Sequence, residues 1–165
     1  MAVQKNKQYG FTIAELLISL AVMALLLTAV AVAFNASAIN FNENSDMFNA
    51  MNTGRQAMMR MTSELRTAEE VSAGTLTGQC SFRPAGSTQW KQFWLDGAVI
   101  KFCNLDGSGN RITSPSPPIL CNNVTSMTFT RAATGTVKSV QMSMTITVNG
   151  NSQVIATGVV LRKAL

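Results

Sequence analysis

The chain has 165 residues, of which 13 are Lys or Arg and 8 are Asp or Glu, and its formal net charge is +5. This length is enough for one domain with a modest core. The sequence contains no histidine, which removes the commonest general acid–base and the commonest metal ligand. Nor does it contain a pair of catalytic carboxylates, a phosphate-binding loop or a CxxC motif. The composition therefore argues against an enzyme, and we expect neither a cofactor nor a resident metal.

The first 34 residues combine a polar leader with a long apolar segment. Residues 1–10 read MAVQKNKQYG, and residues 16–34 are an uncharged, mostly apolar run of nineteen. At about 1.5 Å per residue this run nearly matches a hydrocarbon core of about 30 Å. Because basic residues before an apolar span stay in the cytoplasm, we expect one pass, with the rest of the chain on the other side of the membrane.

Three interpretations of this region compete. The first is a secretory signal cleaved after Ala38, where residues 35–38 read NASA. The second is an anchor that is never cut and whose Glu15 reaches the lipid headgroups. The third is cleavage on the cytoplasmic side, after Gly10, with the apolar helix retained. Only the third gives Glu15 a purpose, since a carboxylate inside a membrane costs about 2.5–3.5 kcal/mol and marks a functional site.

Cleavage after Gly10 would leave a free ammonium on Phe11. If subunits stack in a bundle, Glu15 of one subunit can pair with the Phe11 ammonium of the next. A buried ion pair is a poor source of stability but a good device for setting register. We therefore expect Glu15 to set the stagger between subunits.

Residues 10–18, GFTIAELLI, resemble the class III signal of type IV pilins and type II secretion pseudopilins. The only departures are Ile13 and Ala14, and both are apolar. The resemblance implies that a prepilin peptidase cuts after Gly10 and methylates the amine of Phe11, and that Glu15 is the assembly glutamate. It also implies three further partners, which are other pilin or pseudopilin subunits, an inner-membrane assembly platform and membrane lipid. No nucleic-acid partner is expected.

After the apolar run the chain turns polar without a helix stop, since no proline occurs before Pro84. Apolar residues then recur at spacings of three, four and seven, which predicts one buried helix face. This stripe has Gly54 in one slot and otherwise consists of Met47, Met51, Met58, Met61, Leu65 and Ala68. We expect a single helix from about Phe11 to Val71, ended by Ser72-Ala73-Gly74.

Residues 72–165 show β patterns. Asp96-Gly97 and Asn149-Gly150 are hairpin signals. The candidate strands are 79–83, 89–95, 98–104, 119–121, 124–131, 137–148 and 153–162. A long helix followed by an antiparallel sheet predicts an α+β fold. The expected segments are a cleaved leader (1–10), a transmembrane and assembly helix (11–34), an amphipathic continuation (35–71) and a sheet domain (72–165).

The order of these elements resembles minor subunits of the PilW, type II secretion J-component and ComGF kind. The resemblance rests on the helix segment 55–66, the strand 124–130 and the ending 159–162. It implies a structural subunit that is first anchored in the inner membrane and then packed in a pilus or pseudopilus fibre. It does not separate pilus biogenesis, protein secretion and DNA uptake. A signal-anchored or secreted binding domain that acts alone is the alternative.

The three cysteines leave the thiol chemistry open. A Cys103–Cys121 disulfide would staple the loop that contains DGSGN and SPSPP. Cys80–Cys103 is the rival pair, and three reduced thiols are expected if the domain is cytosolic.

Two weaker patterns also have a possible function. Asp106, Ser108 and Asn110 offer oxygens for Ca²⁺, although an ordinary glycine-rich turn is the simpler interpretation. A stacking and basic surface for single-stranded DNA would use five residues, for which packing and subunit contacts are the simpler interpretation: Trp90, Trp94, Arg83, Lys91 and Lys101.

Overall fold

The computed structural model describes residues 10–74 and 77–162. The predicted leader, except for Gly10, lies outside the described residues. The elements are α1 (Ile13–Arg66), β1 (Ala68–Val71), β2 (Gln79–Pro84), β3 (Lys91–Asp96), β4 (Val99–Asn104), β5 (Ile119–Cys121), β6 (Val124–Thr130), β7 (Ser139–Val148) and β8 (Asn151–Val160). One long helix followed by antiparallel strands confirms the predicted α+β class.

The chain divides into two compact units between Asn42 and Glu43. In the first unit every described residue is exposed, including Leu25 at 70% and Phe34 at 73%. An 18-residue window of α1 has a mean hydropathy of 2.7 and none of it is buried. This part of the helix is long and apolar enough to cross a membrane, and its surface is unfavourable in water.

The second unit contains two antiparallel sheets where the sequence predicted one. The first has the strand order β1-β2-β3-β4-β5, and the second has the order β6-β7-β8. All seven predicted strands are present, with ends shifted by at most two residues.

The prediction that the helix continues to Val71 is wrong. Helix α1 ends at Arg66, and β1 pairs antiparallel with β2. Ala68 and Val71 are buried while Glu70 is exposed, so this segment buries its apolar side chains as part of the sheet. Packing against a neighbouring strand overrides local helix propensity here.

The two predicted hairpins are both present, but the first turn is shifted by one residue. Asp96 pairs with Val99, so the turn consists of Gly97-Ala98 rather than Asp96-Gly97. Gly97 takes φ = 61° at the first central position, where a type II′ turn requires a positive φ. With this register, Phe93, Leu95, Ile100 and Phe102 share one side of the sheet. The second hairpin is confirmed at Asn149-Gly150, where both residues have the positive φ that a type I′ turn requires.

The core of the second unit lies between one face of α1 and the two sheets. The helix contributes Gly54, Ala57, Met58, Met61 and Leu65, all buried. Three aromatic rings on β2, β3 and β4 stack at centroid distances of 5.1 Å (Phe82–Phe93) and 5.0 Å (Phe93–Phe102). The predicted methionine stripe is therefore core from Gly54 onward, whereas Met47 and Met51 are only half-buried. Full burial of a Leu, Met or Phe side chain contributes about 1.5–3 kcal/mol to the free energy of unfolding.

Gly54 packs closely against side chains of the second sheet. A Cβ built on it would collide with Ile146 Cδ1 and would lie 3.0 Å from Ile155 Cδ1. A larger residue at this position would require the ends of these side chains on β7 and β8 to move.

We expect Gly54→Ala to lower the free energy of unfolding by about 1–2 kcal/mol. Overpacking a core costs about 1–3 kcal/mol, and the better helix propensity of alanine returns at most about 1 kcal/mol. Urea unfolding of the full chain in detergent, followed by the fluorescence of buried Trp94, measures the difference. Thr53→Ala is the matched control, since Thr53 is the exposed neighbour, and it should change the stability by less than about 0.5 kcal/mol. Equal effects of the two substitutions would contradict the close approach.

Candidate processing and assembly site

The Gly10–Phe11 bond lies in exposed chain ahead of the helix. Both residues precede the first helical residue, Ile13, and the side chain of Phe11 is 82% exposed. A Cβ built on Gly10 would meet no atom within 4 Å among the described residues, apart from atoms of its two chain neighbours. The bond is therefore open to a protease active site.

Thr12 and Glu15 form a reciprocal cap on the first turn of α1. The backbone N–H of Glu15 donates to Thr12 Oγ1 at 3.2 Å. In return, Glu15 Oε2 accepts the backbone N–H of Thr12 at 3.0 Å and the Thr12 hydroxyl at 2.9 Å. This is a capping box, in which two residues three apart satisfy N–H groups that lack helical partners.

The capping box gives Glu15 a role inside its own chain, which the sequence analysis missed. The signal was present as Thr12-x-x-Glu15 immediately before an apolar run. The cap also fixes the position of the carboxylate at the helix start, next to Phe11. Its Oε1 takes neither of these bonds and so can accept a hydrogen bond from another group.

The structure leaves the three cysteines as free, buried thiols. The predicted Cys103–Cys121 disulfide is not formed, and the sheet explains why. Cys121 lies opposite Ile100 in the main core, whereas Cys103, three residues beyond Ile100, packs with Trp94 and Leu105 on the opposite face. The two thiols would have to meet through the sheet.

The same geometry separates the other two pairs. Cys80 lies opposite Phe93 in the main core, so Cys103 is on the wrong face for it as well. Cys80 and Cys121 share that core, but β3 and β4 lie between their strands. Three strand spacings of about 4.8 Å exceed the 7 Å limit between the Cα atoms of a disulfide. Burial also raises the pKa of all three thiols, that of Cys80 to about 11.

We expect the folded chain to resist thiol alkylation at pH 8. A pKa of about 11 leaves the thiolate fraction of Cys80 about a hundredfold below that of an exposed cysteine, and only the thiolate reacts. Intact mass after labelling should show slow modification of the native chain. Three added groups should appear after denaturation without reductant. Cys80→Ala should reduce that number to two, and two added hydrogens on reduction would reveal a disulfide and contradict the free thiols.

The basic and aromatic residues considered for DNA do not form one surface. Arg83 pairs with Glu70 at 2.9 Å and Lys101 with Asp96 at 2.6 Å. Lys91 lies 3.9 Å from Glu64. Trp94 is 6% exposed and lies beneath Arg111, whose guanidinium carbon is 4.7 Å from the ring centroid. Charge pairing and burial therefore use these side chains within the fold.

The Asp106 loop is a tight turn held by its own carboxylate. Asp106 Oδ1 accepts the backbone N–H groups of Ser108 at 2.9 Å and Asn110 at 2.8 Å. These bonds, led by that from Asn110, hold the pKa of Asp106 below its usual value. Within residues 10–74 and 77–162, no three His, Cys, Asp or Glu side chains come together as metal ligands. The two backbone hydrogen bonds to Asp106 Oδ1 are typical of a turn in which an aspartate side chain accepts from the following residues.

Comparison with known proteins locates the similarity at the N-terminus. Residues 5–31 match the family model described as the prokaryotic N-terminal methylation motif. Searches of curated proteins and of solved structures found no significant match. The matched segment contains the exposed Gly10–Phe11 bond, the capping box and most of the apolar run.

Proposed function

We propose that this chain, whose methylation motif, long apolar helix and antiparallel sheets fit a type IV pilin-like protein, is a minor pilin or pseudopilin. The motif supports a membrane-anchored subunit that is processed by a prepilin peptidase and assembles with other pilin subunits. It points to a structural subunit rather than to an enzyme. The observation that carries the proposal is the coincidence of the motif with an exposed Gly10–Phe11 bond and a capped Glu15.

The proposed pathway starts in the membrane. The peptidase cuts after Gly10 on the cytoplasmic side, and the new amine of Phe11 is methylated. Residues 16–34 anchor the subunit in the inner membrane, with the sheet domain outside the cytoplasm. An assembly platform then moves the subunit into the fibre, where apolar side chains of neighbouring helices replace lipid around this segment.

Glu15 sets the position of each subunit in this proposal. The capping box keeps its carboxylate at the helix start, where Oε1 stays available for the Phe11 ammonium of a neighbour. The pair forms in a medium of low dielectric constant, so an unpaired Glu15 would be costly and only one stagger satisfies it. The pair therefore selects register, whereas apolar packing supplies most of the attraction.

We expect the mature chain to begin with N-methylphenylalanine at Phe11. Mass spectrometry of the N-terminal peptide, taken from membranes of cells that express the prepilin peptidase, measures this directly. Deletion of the peptidase is the control and should leave Met1 in place. A mature chain that starts at Ile39, or that keeps Met1 when the peptidase is present, would favour the anchored or secreted domain that acts alone.

Substitutions at Glu15 separate its charge from its cap. Glutamine at this position keeps a capping box but removes the charge, whereas alanine removes both. If Glu15 pairs with a neighbouring ammonium, Glu15→Gln and Glu15→Ala should insert in the membrane normally and both lose incorporation into fibres. Thr12→Ala weakens the cap alone and should retain incorporation.

Sheared fibre fractions and membrane fractions, compared by immunoblot, measure these outcomes. Loss of incorporation in Glu15→Ala and Thr12→Ala, with Glu15→Gln incorporated normally, would show that only the cap matters. Normal incorporation of all three variants would refute any role of Glu15 in assembly.

A further inference from the structure

The edge of the second sheet at β8 lacks the protection that the other sheet edges have. Strand β1 is four residues long and bulged, and β5 is three residues long, bulged and preceded by prolines. The outer edge of β6 is bridged, since Val124 N–H donates to Ala98 O and Phe129 N–H donates to Thr77 O. Short strands, bulges and covering segments are the usual means by which proteins prevent edge-to-edge pairing.

Strand β8 has none of these features among the described residues. Its ten residues pair with β7 in continuous register from Ser139–Val160 to Val148–Asn151. It contains no charged residue and no proline. Val154 and Val160 are 61% and 54% exposed. A long, regular and apolar edge of this kind binds another strand readily.

The hydrogen-bonding groups that β8 offers can be assigned. The two-residue turn closes the hairpin on Val148–Asn151, and Leu161 N–H donates to Lys138 O at the far end. Hydrogen-bonded pairs alternate along an antiparallel ladder, so the odd-numbered residues of β8 bond to β7. The N–H and C=O groups of Val154, Ala156 and Gly158 therefore point away from β7, toward the free edge of the sheet.

An apolar groove lies beside this edge. It has a volume of about 530 Å³ and runs between α1 and the inner face of β8, with Met58, Met59 and Ile155 in its lining. Arg55 and Arg66 also line it, and no acidic residue does. The two arginines are eleven positions apart, or about 16 Å along the helix. Both are exposed, and neither belongs to an ion pair within the described residues.

We propose that β8 and this groove form a docking site for an extended segment of a neighbouring subunit. The segment adds to the sheet as an antiparallel or parallel strand and bonds to Val154, Ala156 and Gly158. Its inward side chains are apolar in the middle, where they cover Met58, Met59 and Ile155. They are acidic near both ends, where they pair with Arg55 and Arg66. The assignment of the segment to a subunit rests on the proposed function, whereas its chemistry rests on the groove.

A second copy of this chain is a poor source of such a segment. The described edge strands other than β8 are β1, β5 and β6, and neither β5 nor β6 contains an acidic residue. The acids of β1, Glu69 and Glu70, are adjacent in sequence and both lie within 4.0 Å of Arg83. The charge pattern of the groove therefore favours a different subunit of the same fibre.

A synthetic probe tests the docking chemistry without a fibre. The probe is a capped peptide of alternating Thr and Val with Glu near each end, and the control peptide has Lys in place of Glu. The full chain in detergent micelles is titrated with each peptide, and amide hydrogen exchange is read by NMR. We expect the acidic peptide to slow exchange at Val154, Ala156 and Gly158. The double variant Arg55→Gln, Arg66→Gln should bind it about three- to tenfold more weakly.

The matched variants are Ala156→Pro and Ala156→Ser. Proline removes an N–H that points away from β7, a position where an edge strand tolerates it, whereas serine keeps that N–H. Ala156→Pro should unfold at the same urea concentration as Ala156→Ser but fail to bind the peptide. Val154→Lys, which keeps every backbone group and charges the edge, should also fail to bind. Equal binding by the proline and serine variants, protection at other amides, or no preference for the acidic peptide would overturn the docking site.

The same variants in cells distinguish this proposal from the proposed function. Ala156→Pro should be cleaved and methylated normally at Phe11 and yet be lost from fibres. Normal incorporation of Ala156→Pro would refute docking at β8 and leave the pilin-like function intact. An unprocessed N-terminus in the unsubstituted chain would refute the proposed function, and the peptide titration would still decide whether β8 docks a strand.

Discussion

The apolar surface of residues 16–34 is the constraint on which the rest of the molecule depends. Every side chain in this segment is exposed, and a cylinder of Leu, Ile, Val and Phe in water is strongly unfavourable. Two environments satisfy it, a lipid bilayer and a bundle of similar helices. In the proposed pathway the segment passes from the first to the second. Its apolar packing is about equally favourable in both, so the transfer needs a directional interaction to decide where each subunit stops, and Glu15 is the charged side chain within reach.

The second half of α1 packs against the two sheets and forms part of their core. Beyond Asn42 the helix buries only one face, and that face is built of small and flexible side chains around Gly54. Glycine allows close approach, and methionine fills the irregular space that remains between α1 and the sheets. Beside this face, Arg55 and Arg66 line an apolar groove next to β8. The same element thus supplies a core face and, in the docking proposal, part of the neighbouring surface.

Elements that depend on residues close in sequence could be predicted. Features that depend on packing between distant segments could not. The helix through the apolar run and the hairpin at Asn149-Gly150 are set by residues close in sequence, and both were confirmed. The ending of α1 at Arg66 was missed because the strand character of Ala68–Val71 appears only once β2 lies beside it. The Cys103–Cys121 disulfide was wrongly predicted for a related reason. Alternate residues of a strand face opposite sides of the sheet, so the position of a cysteine within its strand decides which face its thiol occupies. The cap at Thr12 is also a local signal, since Thr12-x-x-Glu15 precedes an apolar run in the sequence.

The cap and the proposed ion pair are successive uses of one carboxylate. Before cleavage, Phe11 has no ammonium, and Glu15 Oε2 bonded to Thr12 keeps the first turn of α1 formed. Cleavage places a positive charge at the positive end of the helix dipole, which is unfavourable for an isolated subunit. A neighbouring Glu15 relieves that charge, and because Oε1 is not used by the cap, the helix need not lose its first turn to form the pair. In the proposed assembly, the capping box holds the carboxylate in place before its partner exists, which resembles preorganisation in ligand binding.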